Sequence, residues 1–134
     1  MDITLSGDLL ERMISHARSV LPQEACGFLI GTGSHASRFQ AMANSLASAT
    51  AYEIDPALLA VTFRSLRETG EELIGIVHSH PSGPAEPSER DRRQAFYPQA
   101  AHLIISLADP ERPQVRGYRI IDGEAYEIEC RIVI

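Results

Sequence analysis

Apolar residues recur along this chain in two rhythms, and the changes of rhythm divide it into elements. Residues 2–5 (DITL) alternate as a short strand does. Leu9, Leu10, Met13, Ile14, Ala17 and Leu21 then fall on one helix face, with Ser6 or Asp8 placed to cap the helix and Pro22 to stop it. Residues 25–31 (ACGFLIG) form a short apolar run closed by the Gly31-Thr32-Gly33 turn and read as a buried strand. Residues 37–43 pair back on it with a weaker alternation, and the small, polar residues 44–51 predict a loop. Asp55-Pro56 is a helix start, an acid at the N-cap followed by proline at the first helical position. The helix it opens buries Leu59, Thr62, Phe63 and Leu66, and Gly70 ends it.

Residues 73–80 (LIGIVHSH) make an apolar strand that turns polar only at its carboxyl end, before a Pro- and Gly-rich loop at 81–87. Ser88 opens a short helix, SERDRRQAF, that stops before Pro98, and residues 102–107 (HLIISL) form another buried strand. VRGYRII and EAYEIECRIVI read as a closing hairpin through Asp122-Gly123, a dipeptide suited to a two-residue turn. In its last strand Tyr126, Ile128, Cys130, Ile132 and Ile134 share one face. The pattern predicts one α/β domain over residues 1–134, with a mixed, mostly antiparallel central sheet flanked by helices.

Composition narrows the function. With 44% hydrophobic and 22% charged residues the chain reads as a soluble globular protein. A net charge of −6 argues against nucleic acid as the main partner, because phosphate binding needs a basic face. No run approaches the roughly 20 apolar residues of a membrane span. The opening MDITLSGDLLERM lacks the basic-then-apolar order of a signal peptide, so a cytoplasmic location is expected. Cys26 and Cys130 are too few for a disulfide framework, and both sit in apolar runs where a free thiol acts as a small hydrophobe.

The candidate chemistry lies around one strand end. His78 and His80 are two apart, so both imidazoles leave the same face where a buried strand emerges. Two such imidazoles are half of a zinc site, or simply a polar strand end. Asp91 follows the loop, whose Pro81, Pro84 and Pro87 limit its freedom. A His2Asp set leaves a fourth position open for water, as catalytic zinc sites do. Ser88-Glu89-Arg90-Asp91 is also S-x-x-D, the signature of a helix capping box, and the two roles are compatible. Glu24 begins the run PQEACGFLIG and reads either as a solvated strand-end acid or as a general base. Cys26, two residues on, reads as structural, with a nucleophilic thiol as the competing reading.

The string HSHP followed by Ser88-x-x-Asp91 resembles the JAMM motif of the JAB/MPN metallopeptidases, H-[ST]-H-x7-S-x2-D with an upstream glutamate. PQEACGFLIG resembles that family's P-x-E-x-C-G-x-L-x-G stretch, and HARSVLP, YEIDP and HLIISL are further echoes, so the likeness covers nearly the whole chain. The resemblance implies a cytidine-deaminase-like fold, one catalytic zinc ion held by His78, His80 and Asp91, Glu24 as general acid/base, and Ser88 stabilising the tetrahedral intermediate. It also implies cleavage after the Gly-Gly tail of a ubiquitin-like or sulfur-carrier protein, at a peptide or isopeptide bond. Residues 45–51 and YEIDP are the expected walls of a channel for that tail. The alternatives are a non-catalytic MPN-fold interaction scaffold, a zinc deaminase, against which the lack of C-x-x-C speaks, and a cysteine hydrolase using Cys26.

Overall fold

The computed structural model describes residues 2–133, so Ile134 of the expected last-strand face lies outside the described residues. The elements are β1 (Ile3–Ser6), α1 (Gly7–Ser19), β2 (Cys26–Thr32), β3 (His35–Met42), α2 (Pro56–Thr69), β4 (Glu72–His80), α3 (Glu89–Arg93), β5 (Ala101–Ser106), β6 (Gln114–Ile121), β7 (Glu124–Ile128) and β8 (Cys130–Val133). The strands form one sheet in the order β7-β6-β5-β4-β2-β3-β1-β8. β2 runs antiparallel to β3 and β4, and β6 antiparallel to β5 and β7. β1–β3, β1–β8 and β4–β5 are parallel, which gives the expected mixed sheet. Among the described residues no helix is long and apolar enough to cross a membrane.

Helices α1 and α2 pack on opposite faces. Ser6 caps α1 by accepting from the Leu9 N–H, and Leu9, Met13 and Ala17 bury against Ile3, Leu29, Val77 and Leu103. The helix ends at Ser19, so Leu21 falls beyond the buried face and is 46% exposed, contrary to the periodicity reading. Asp55 Oδ1 accepts from the Ala57 N–H at 2.8 Å to cap α2, and Gly70 closes it at φ 75°, a conformation open to glycine at little cost. Its Thr62 and Leu66 are buried, and half-buried Leu59 and Phe63 pack with Phe28, Ile54 and Ile76.

A bulge in β4 sets which side chains face α2. Leu29 pairs with Gly75 but Ile30 with Leu73, leaving Ile74 as the extra residue, and it turns into the α1 core. Beyond the bulge Val77 faces α1, whereas Ile76 packs on the α2 side and is followed at steps of two by His78 and His80.

Two expectations fail at the carboxyl-terminal side. SERDRRQAF is not helical throughout: α3 stops at Arg93, and Phe96 is 72% exposed. None of its residues is buried, so no apolar face carries it onward, and Pro98 disfavours helical backbone at Tyr97. The closing hairpin turns at Asp122 (φ 52°) and Gly123 (φ 79°) as expected. Its second arm, however, breaks at Glu129 and changes partners. β7 pairs with β6, while β8 runs beside β1 with Ile3 opposite Cys130 and Ser6 opposite Val133. The last strand therefore reaches from one end of the sheet to the other and draws it into a curl around α1. Ile128 and Cys130 pack on the α1 core, but Tyr126 and Ile132 are exposed, so the single expected face is divided.

Candidate metal centre

His78 and His80 emerge where β4 ends, flanked by β2 and β5, and both are buried. Their Nε2 atoms lie 3.2 Å apart. Asp91 Oδ2 is 3.1 Å from each. The carboxylate arrives there because α3 is built around it. Ser88 Oγ accepts from the Asp91 N–H at 3.0 Å, and the Ser88 N–H donates to Asp91 Oδ2 at 2.9 Å. The capping box and the convergence on the histidines are thus one arrangement.

The loop between is fixed by hydrogen bonds as well as by its prolines. Gly83 O accepts from Ser106 Oγ at 2.6 Å and Ala85 O from the Tyr118 hydroxyl at 2.7 Å. Pro84 O lies 2.8 Å from His80 Nδ1, so that nitrogen donates and Nε2 is the one turned toward His78 and Asp91.

Three donor atoms, two imidazole nitrogens and one carboxylate oxygen, so close together repel unless a proton or a cation lies among them. Ligands 2.0–2.1 Å from a tetrahedral ion are themselves about 3.3–3.4 Å apart. Side chains separated by 3.1–3.2 Å fit that spacing with a small adjustment. The site can hold a metal ion, and its N, N, O donor set suits zinc.

Glu24 is only 4% exposed, which removes the solvated strand-end reading. A carboxylate oxygen of Glu24 and ring nitrogens of His78 and His80 lie within 4.8 Å of one another. Its Oε1 is buried without a hydrogen-bond partner among the described residues. The backbone around it is clamped: the Glu24 N–H donates to Ser48 O at 2.8 Å, and Glu24 O accepts from Asn44 Nδ2 at 3.1 Å. Next to it the Ala25 N–H donates to Ser79 Oγ at 2.7 Å. Burial raises the Glu24 carboxyl to about 7, against the pull of the His80 and Arg90 charges. Asp91 goes the other way. Burial pushes it up, but hydrogen bonds from His78, His80 and the Ser88 N–H hold it well below the usual carboxylate range.

Neighbours complete the setting. The Tyr52 ring stacks on His78 with centroids 4.6 Å apart and planes at 24°. A cleft of about 260 Å³ opens beside Asp91, walled by Phe28, Tyr52, Ile54, Ile76, Arg90 and Phe96. YEIDP lines it as expected, but residues 45–51 do not. Asn44 Nδ2 reaches the carbonyls of Ser48 and Ala51, so that loop braces Glu24 instead. Cys26 is buried with its thiol on Met42 O, and burial and then the Glu24 charge push it up to about 12. A thiol so fully protonated is a poor nucleophile, which weighs against the cysteine-hydrolase reading. Tyr52 and His102 are the neighbours whose placement sequence reasoning missed. The YEIDP stretch marked Tyr52 only as channel wall, and nothing in the sequence turned His102 inward.

A model of the family described as prokaryotic homologs of the JAB domain matches residues 6–121. The CysO-cysteine peptidase of Mycobacterium tuberculosis is 34% identical over 133 residues, spanning 98% of this chain and 91% of that protein. The desampylase of Haloferax volcanii is 32% identical over 111 residues, 78% of this chain and 80% of its own. A solution structure of a Desulfitobacterium hafniense protein superposes with a TM-score of 0.87 at 36% identity, over 99% of this chain and 93% of that one. A JAB1/MPN domain protein from Archaeoglobus fulgidus shares the fold, with a TM-score of 0.63 at 23% identity over 96% and 99% of the two chains. With a family match over most of its length and relatives alike nearly from end to end, the chain belongs to the prokaryotic JAB (JAMM/MPN) family.

Proposed function

We propose that this chain, acting as one domain over residues 1–134, is a zinc-dependent hydrolase. Its reaction is cleavage of a peptide or isopeptide bond after the carboxy-terminal Gly-Gly of a ubiquitin-like protein of the sulfur-carrier kind. The observation that carries the reading is the convergence of His78, His80 and Asp91 at 3.1–3.2 Å with Glu24 beside them, its Oε1 unpartnered among the described residues. The kinship supports it: one relative is named a CysO-cysteine peptidase and another a desampylase. Two free cysteines, both held as thiols by burial, suit a cytoplasmic setting.

His78, His80 and Asp91 would hold the ion, and zinc when bound supplies Lewis-acid polarisation of the scissile carbonyl and of a water molecule. Glu24 takes the proton of the attacking water and passes it to the leaving amine. Buried beside the histidines, with Oε1 unpartnered among the described residues, the carboxyl is placed for both halves of that transfer. The Ser88 hydroxyl accepts from Asp91 N–H and keeps its own proton to donate to the oxygen that gains charge.

The cleft suits an extended tail. The Glu53 N–H is taken by Asn44 Oδ1 at 3.2 Å and its carbonyl by the Ser45 N–H at 2.9 Å. Tyr52 and Ile54, on either side of that clamped residue, both line the cleft, and the reading places the substrate tail alongside them.

The test is zinc calorimetry on chelator-stripped wild type, Asp91→Ala and Glu24→Gln, followed by hydrolysis of a carrier fused through its Gly-Gly tail. One tight site, weakened in Asp91→Ala and retained without turnover in Glu24→Gln, is the expected result. Wild type that binds no zinc, or a fully active Glu24→Gln, overturns the reading.

A further inference from the structure

The two histidines of the centre are not held alike. His80 has its second nitrogen satisfied, Nδ1 donating to Pro84 O at 2.8 Å. The Nδ1 of His78 is buried and bonds to nothing among the described residues. If the Nε2 of His78 faces an ion, Nδ1 must carry the proton, and a ligating imidazole normally gives that N–H to an acceptor that fixes the ring. The Tyr52 face stacked on His78 supplies packing but no such acceptor.

A matching group stands on the neighbouring strand. His102 is 3% exposed, and its Nε2 is likewise buried with no partner. In the parallel β4–β5 pair Ile76 is opposite His102 and His78 opposite Ile104, so His102 shares the face of His78, one pair away. It lines the floor of the cleft with Phe28, Ile76 and Asp91. Burial, and next the charge of His78, lower its pKa to about 4, so it is neutral at physiological pH. A neutral imidazole has one bare nitrogen that accepts. Two buried ring nitrogens without partners among the described residues thus lie on one face of adjacent strands, and a protonated His78 Nδ1 facing a bare His102 Nε2 satisfies both.

We propose that His102 is a positioning residue for His78, its bare Nε2 taking the Nδ1–H of His78 through a single bridging water. Water held between two such groups is an ordinary constituent of protein cores where polar partners face one another. The bridge sets the His78 tautomer and ring plane, with Tyr52 on the ring face, and so presents Nε2 to the ion. The inference rests on the reading of His78 as a metal ligand.

Chelator-competition titrations of zinc on wild type, His102→Leu and His102→Gln test it. His102→Leu is expected to lose about 10- to 100-fold in zinc affinity. In His102→Gln the carboxamide oxygen reaches the Nε2 position, so most of that loss is restored. In the zinc-loaded wild type the His78 Nδ1–H gives a downfield, slowly exchanging proton resonance, which moves upfield in His102→Leu. Zinc bound as tightly by His102→Leu as by wild type, or His102→Gln as weak as His102→Leu, overturns the proposal while leaving the metal reading intact. Should His102→Leu not fold, His102→Gln and the wild-type resonance decide: near-wild-type affinity with a downfield proton supports the bridge, and an exposed-type proton resonance ends it. Wild type that binds no zinc overturns the metal reading itself.

Discussion

Glu24 and Asp91 face the same pair of histidines, yet the protein drives their ionisation in opposite directions. Asp91 has three hydrogen-bond donors or potential donors on one oxygen, so the anion is favoured despite burial. Glu24 has an oxygen with none, so burial prevails. In zinc-free protein the Glu24 carboxyl is expected to titrate at about 7, read from its 13C resonance. Zinc lowers that midpoint, because a nearby cation favours the carboxylate. Ser88 requires a pair of substitutions, since its Oγ also caps α3. Ser88→Ala costs about 1 kcal/mol of cap and Ser88→Gly only a few tenths. If the hydroxyl donates to the oxyanion, both variants lose turnover by a similar factor, about 10²-fold, with zinc retained. If only the cap matters, Ser88→Gly stays near wild type. Glu24 was picked out only by the resemblance of PQEACGFLIG, whereas the nearness of His78, His80 and Asp91 was legible in their spacing. The stacking of Tyr52 and the inward turn of His102 were not, since both depend on which strand lies beside which.

Elements carry these residues with unequal security. β4 and α2 were readable end to end, because an apolar run and a capped, glycine-stopped helix have local causes. The loop at 44–51 was readable as a loop but not as a brace. Asn44 donates to the carbonyls of Glu24, Ser48 and Ala51 while its Oδ1 accepts from the N–H groups of Leu46 and Glu53. Asn44→Asp preserves shape and acceptors but removes the donors. Equilibrium unfolding is expected to show a loss of about 1–3 kcal/mol, the range for buried groups left unpaired. Turnover should fall with it, as Glu24 loses a support, while calorimetric zinc affinity stays near wild type. Helix α3 was overextended in the sequence reading because its residues are good helix formers. What halts it is the lack of any buried face, which only the folded neighbours disclose.

At the scale of the whole molecule, the buried His102 ties stability to pH. Its folded pKa near 4 lies below the unfolded value of 6.5, so between those limits the unfolded chain binds more protons. The associated stability is complete above pH 6.5 and is lost as pH falls through 4, a total of about 3 kcal/mol. Glu24 opposes this loss, since its folded pKa of about 7 lies above its ordinary 4.5 and adds stability as pH falls through that window. The His102 contribution is therefore read as the difference between wild type and His102→Leu in denaturant titrations of zinc-free protein at pH 7, 5 and 4. Asp91 adds a second loss below its ordinary value of 3.8, because its folded pKa is depressed and protonation breaks its bonds to the histidines.

The change of partner at Glu129 was invisible in the sequence, where one long alternating run continues across it. Its effect reaches back to the beginning of the chain. β1 has a single paired position with β3, Thr4 opposite His35, and finds the rest of its partners in β8. On the ribosome the amino-terminal strand therefore waits for the last one. At synthesis rates of about 5–20 residues per second, Ile3 and Leu5 emerge several seconds before Cys130 and Ile132 exist to cover that edge. During that interval the nascent chain presents an unfinished sheet edge and part of the apolar face of α1, which pairing of β8 with β1 then covers.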